Sequence, residues 1–199
     1  MFSKKIFGFI VLFLLFNLPV FSGPFGLDMG MTLDQLRILT GKVPVLLQDD
    51  LYSVDPPNKN DMFESYLVQV SPKYGVVWIK AVGKDITTNG HGIALRNAFN
   101  NLVSGIERNY GKYDLTDFLT RGSIWNEPQD WMMAIVRRER YLIASWERTY
   151  GSNLPDDILS IGVMVSAQSS SRGYVILEYY SPNEKLHEEE KKIIQDSVF

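Results

Sequence analysis

Trp125, Glu127, Asp130 and Trp131, in the segment GSIWNEPQDWMMAIVRRER, are the residue types from which a glycan-cleaving site can be built. Two carboxylates three residues apart can divide the acid and base roles of glycoside hydrolysis, and tryptophans beside them can stack on a sugar ring. The same residues have a plainer use. Pro128 suits the first turn of a helix, Asn126 suits its cap, and Glu127 and Asp130 then lie where the helix dipole stabilises negative charge. Trp131, Met132, Ile135 and Val136 recur at helical spacing and would face a core. Arg137, Arg138 and Arg140 fit the solvated end of that helix, or else a small anion-binding patch. We read the segment as a structural helix. Glu127 and Asp130 remain the catalytic candidates, and Trp125, Arg137, Arg138 and Arg140 the binding candidates.

Other chemistries find less material. The chain has no cysteine, which closes the thiol route, and no Gly-x-Ser-x-Gly elbow surrounds Ser104, Ser166 or any other serine. Its two histidines, His91 and His187, lie far apart in sequence. His91 sits in a Gly-His-Gly turn, and His187 on a highly charged helix, with Glu190 three residues on. Neither has the paired spacing of a metal site, so both read as surface histidines and no metal is expected. Gly-His-Gly is too short to cradle a phosphate and no Gly-Lys-Ser/Thr follows, so no cofactor is expected either.

The elements that would position these residues can be read in order. Thr32 with Gln35 forms a capping box, Met31 and Leu36 are placed as a hydrophobic staple, and Gly41 ends a helix over 33–40. The alternation through YLVQVSPKYGVVWIKAV predicts a hairpin over 64–83, turning at Pro72–Gly75. Leu95, Ala98, Phe99, Leu102, Val103, Ile106 and Tyr110 mark the strongest helix, 92–110, closed by Gly111. The next helix spans 128–138. Residues 128–150 would also suit one continuous helix, but β-branched and aromatic residues gather toward Trp146, which favours a strand at about 141–147. Two further strands, about 160–168 and 173–180, flank a turn at Ser169–Gly173. Ser181 with Pro182 and Glu184, a second capping box, then opens a C-terminal helix, 183–196, with Leu186, Ile193 and Ile194 as a thin apolar stripe. Hairpins with helices between them imply a single α+β domain, an antiparallel sheet covered by helices.

Residues 1–22 carry an address. Lys4 and Lys5, an apolar run from Ile6 to Leu18, and small residues Val20 and Ser22 make the three parts of a signal peptide, with cleavage expected at Ser22–Gly23. The run is too short to span a bilayer, which needs roughly 20 residues, so an uncleaved anchor is the poorer reading. The expected organisation is therefore a signal peptide, 1–22, followed by one domain, 23–199, that is periplasmic or secreted. Removing the two lysines from the 20 basic residues leaves 18 against 23 acidic ones. That mild negative charge argues against nucleic acid as a partner. With no disulfides, an exported chain must rest on its core, which suits a bacterial envelope. No further membrane span and no internal repeat is visible.

The segments PFGLDMGMTLDQLRILTG, YLVQVSPKYG, GSIWNEPQDWMM and GSNLPDDILSIG resemble a group of uncharacterised exported bacterial proteins with a Phe-Gly-Leu-x-Met-Gly-Met-Ser/Thr opening. The likeness covers most of the chain after residue 22 and implies export and a shared fold, but carries over no activity and no site residues. More loosely, Gly30-Met31-Thr32 running into a short, glycine-ended helix is similar to small envelope proteins of the barrel-assembly and β-lactamase-inhibitor type. A non-enzymatic binding protein that meets another envelope or secreted protein is the leading expectation. A hydrolase of envelope glycans or peptides using Glu127 and Asp130, or a dedicated inhibitor or immunity partner, are the alternatives.

Overall fold

A computed structural model describes residues 23–196; the expected signal peptide and the last three residues lie outside this range. After a 3-10 turn at Pro24–Gly26 comes the helix α1 (Leu33–Thr40), whose start is fixed as the sequence predicts. The Thr32 amide donates to Gln35 Oε1 at 2.8 Å, and the Gln35 amide donates back to Thr32 Oγ1 at 3.3 Å. Four strands follow as a meander: β1 (Val45–Gln48), β2 (Leu51–Val54), β3 (Phe63–Ser71) and β4 (Gly75–Gly83). After the two-residue β5 (Ile86–Thr87), the helix α2 (Ile93–Tyr110) leads to β6 (Asp114–Leu119), the short helix α3 (Trp131–Val136), and the strands β7 (Arg140–Glu147), β8 (Ser160–Ser169) and β9 (Arg172–Tyr180). The helix α4 (Glu184–Asp196) ends the described chain.

All strands join one antiparallel sheet in the order β1-β2-β3-β4-β9-β8-β7-β6, with β5 against β9. The order has a simple logic. A helix followed by four sequentially paired strands occurs twice, the second time with α3 between β6 and β7, and the fourth strands of the two halves, β4 and β9, meet at the centre of the sheet. This repeat of topology is not visible as a repeat of sequence. The choice of strand over helix at Tyr141–Trp146 follows from this arrangement, because β7 fills the place between β6 and β8.

One face of the sheet carries the core. Val68, Ile79, Ala81, Leu177, Val175, Val163, Ile161, Ala144 and Trp146 pack there beneath Leu95, Phe99, Leu102, Val103 and Ile106 of α2 and Trp131, Met132 and Ile135 of α3. Burying one such large side chain contributes about 1.5–3 kcal/mol, so this face holds the fold together. A register shift at Gln69/Val70 puts both Val76 and Val77 in buried positions, which breaks the plain alternation expected there.

The glycine-rich segments explain themselves in this packing. The Gly30 amide donates to Val76 O and the Val76 amide to Met31 O, both at 2.8 Å, so the Met-Gly-Met opening docks on the start of β4. Gly75 permits this approach: its φ is +68°, and a Cβ there would lie 2.1 Å from Gly30 O. Gly92 plays the same part near α3. Its φ is +69°, and a Cβ would meet the Trp131 ring at 2.2 Å. The Gly-His-Gly turn is thus a seat for Trp131. With no side chain at Gly92 to cap α2, Asn89 Oδ1 and Thr88 Oγ1 accept from the Ile93 and Ala94 amides instead.

Candidate functional site

Among the described residues, the opposite face of the sheet has no covering layer except α4 at one corner. Cross-strand register places Leu67, Gln69, Trp78, Lys80, Val82, Ile176, Glu178, Tyr180, Met164, Ile143, Tyr141 and Phe118 on it. Side chains in its middle shield one another, so that Ile176 and Glu178 are buried and their neighbours half-buried, while Phe118 at the β6 edge is 52% exposed. No helix among the described residues is long and apolar enough to cross a membrane.

At the centre of this face lies a charged pair held by aromatic residues. Lys80 on β4 and Glu178 on β9 are directly opposite in the register, with Nζ 3.2 Å from Oε1. The Tyr180 hydroxyl donates to Glu178 Oε2 at 2.7 Å, and the Lys80 ammonium lies 5.5 Å from the centre of the Trp78 ring. Burial, then the Glu178 carboxylate, push the Tyr180 hydroxyl above its ordinary range, so it stays protonated and remains a donor. Glu178 is among the buried residues. Its desolvation is offset by two donors, which leaves a polar centre fixed in place on a largely apolar and aromatic surface.

The covered corner contains the residue that sequence reasoning placed wrongly. His187 is 4% exposed, not a surface histidine. Its Nε2 meets Asp50 Oδ2 of the β1–β2 turn, 137 positions earlier in the chain. Lys191 Nζ lies 3.2 Å from Asp50 Oδ1 and 3.6 Å from Glu188 Oε1. Gln69 Nε2 donates to Glu188 Oε1 at 2.6 Å and reaches both Asp50 oxygens at 3.3–3.4 Å. Burial alone would raise the Asp50 carboxyl, but the hydrogen bonds from His187, Lys191 and Gln69 and the Lys191 charge outweigh it and hold it below the usual carboxylate range. Two cavities adjoin the cluster. One of about 360 Å³ is lined by residues including Asp49, Asp50, Trp78, Glu184 and Lys191, and another of about 320 Å³ by residues including His187, Pro72 and Glu190.

A signal for this cluster was present. Glu184, His187, Glu188 and Lys191 recur at helical spacing, a polar stripe on α4. Of the apolar stripe expected to bury α4, Leu186 and Ile193 are exposed, and the Ile194 side chain lies outside the described residues. The helix docks through hydrogen bonds, and its partner Asp50 comes from a turn with no motif of its own. At its start the Ser181 hydroxyl accepts from the Asn183 amide at 3.1 Å, in place of the expected capping box with Glu184.

The residues singled out from the sequence are scattered. Trp131 is 1% exposed, in the core, with the Arg96 guanidinium 4.4 Å from its ring centre. Trp125 is half-buried, Glu127 exposed and Asp130 partly exposed, and neither carboxylate lines the cavities described here. Pro128–Asp130 form a 3-10 turn whose cap position is Glu127, without a side-chain bond, so Asn126 does not cap the helix. The helix itself stops at Val136, two residues short of the expectation, because Arg138 takes a left-handed conformation with φ +57°. Arg137 and Arg138 are exposed. Arg140 belongs to β7, where its Nε and Nη2 each lie 2.8 Å from Asp117 Oδ1. The arginines therefore form no common patch on one helix end.

Comparison of the chain with protein families, with curated proteins and with solved structures finds no match.

Proposed function

We propose that the chain is an exported binding protein that engages another envelope or secreted protein through the helix-free face of its sheet. The observation that carries this reading is the composition of that face. Trp78, Tyr180, Tyr141, Phe118 and Met164 are the aromatic and methionine types enriched in the buried centres of protein interfaces, and Ile143 adds apolar area beside them. Eight strands side by side make a broad surface at roughly 4.8 Å per strand. Its extent suits a protein better than a small molecule. The export half of the proposal is supported by the three-part N-terminal segment read above.

A hydrolase built on Glu127 and Asp130 gains no support from this geometry, since Trp131, one wall of its site, faces the core. The test compares variants in capture from the native envelope and secreted fractions. Wild type and Arg137→Glu, altered away from the face, are expected to retain one reproducible partner, and so is Glu127→Gln. Phe118→Asp combined with Ile143→Asp is expected to lose it. Equal recovery by all four proteins, or none from wild type, overturns the proposal.

A further inference from the structure

We propose that Asp50, His187 and Glu188 form a binding site for Zn²⁺, in which the ammonium of Lys191 holds the metal's place. Each of the three offers one ligand atom, and these atoms lie within 4.8 Å of one another. Zinc takes imidazole nitrogen at about 2.0–2.1 Å and carboxylate oxygen at about 2.0–2.2 Å, so ligands on a shared tetrahedral ion stand roughly 3.3 Å apart. His187 Nε2 and Asp50 Oδ2 are in direct hydrogen-bond contact, so a bound ion would part them as it takes a lone pair from each. A neutral imidazole with two carboxylates is a donor set suited to zinc; calcium and magnesium prefer oxygen throughout.

The second observation is what already stands between the carboxylates. Lys191 Nζ is shared by Asp50 and Glu188 at 3.2 and 3.6 Å, so the chain has a tethered cation between the two carboxylates. The Lys191 side chain is 28% exposed and can swing outward into solvent. Once it leaves, the lining retains Asp49, Asp50 and Glu184 beside Glu188, an excess of negative charge that favours a divalent ion. The cavities on either side give the ion an entry and leave room for water in its remaining positions. Gln69, which bonds both carboxylates, orients them from outside. Bound zinc would join the β1–β2 turn to α4 across 137 positions of sequence.

This site adjoins one corner of the helix-free face, sharing Gln69 and the neighbouring Trp78 with it, but its test does not depend on a protein partner. The untagged protein, stripped with a chelator, is titrated with Zn²⁺ by calorimetry and with Co²⁺ by visible absorption. One ion per chain is expected, together with a rise in Tm. Glu188→Gln, at a partly exposed position, is expected to weaken binding at least tenfold while the circular dichroism spectrum stays unchanged. Lys191→Met is expected to tighten it, because the competing cation is gone; a structural ion pair alone would give a less stable protein and no tighter binding. His91→Ala is expected to bind as wild type does. The proposal is overturned if neither wild type nor Lys191→Met binds Zn²⁺ at millimolar concentration. Binding that is unaffected by both Glu188→Gln and Asp50→Asn places the ion elsewhere and overturns it equally.

Discussion

Glu184 shows how one side chain records its surroundings. It lies in the first turn of α4, where the helix dipole favours a carboxylate. Burial and the nearby Glu188 charge nevertheless push its carboxyl above the ordinary value of 4.5, against the opposing pull of His187. An acid whose folded value is raised is penalised when ionised, so the cost is absent below the ordinary value and complete once pH exceeds the raised one. Glu184→Gln is therefore expected to raise Tm at neutral pH, and thermal melts should show the gain disappear toward about pH 4. Gly23 makes a second point at this scale. Its amide donates to Asp28 Oδ1 at 3.0 Å, and a Cβ there would fall 1.9 Å from Leu27 O. Cleavage at Ser22–Gly23, part of the export proposal, would turn that amide into an ammonium held by Asp28. N-terminal sequencing of the exported protein should begin at Gly23, and Asp28→Asn should lower its Tm by more than it lowers that of a chain with residues before Gly23.

At the scale of elements, legibility followed the strength of the local pattern. The capping box at Thr32–Gln35, the stripe of α2 and the hairpins β3–β4 and β8–β9 were all readable, because each is stabilised by contacts close in sequence. The strands β1, β2, β5 and β6 were not expected. Val45, Leu46 and Leu47 are all exposed, and Asp114 and Asp117 place carboxylates in β6, so neither edge strand has a buried side to produce alternation. Their backbone pairing to interior neighbours makes them strands. Much the same holds for the His187 corner, where the helical spacing of the polar stripe was legible and the identity of Asp50 was not. The energetic weight lies in α2. Phe99 is almost wholly buried under it, and Phe99→Ala is expected to cost about 3–5 kcal/mol in urea unfolding. A cost below about 1 kcal/mol would mean that α2 is not the principal cover of the core.

For the whole molecule, the decisive feature is the meeting of β4 and β9. Three strands of the main order lie on each side of that pair, and the core face and the helix-free face both run across it without interruption. The segments PFGLDMGMT and SPKYG, distant in sequence, touch through Gly30 and Gly75, and GSIWNEPQDWMM touches the Gly-His-Gly turn through Trp131 and Gly92. Such contacts account for the glycines, although the sequence alone did not pair the segments. The central pair also sets an order of events during synthesis. β4 is complete at residue 83, yet its partner edge arrives only with residues 176–180, nearly a hundred positions later. Until then the newborn first half presents an apolar strand, GVVWIKAVG, with a row of unanswered amides and carbonyls. A first half that folded before residues 176–180 followed would hold that edge open to mispairing, so the topology favours a chain that folds only once β9 has been made.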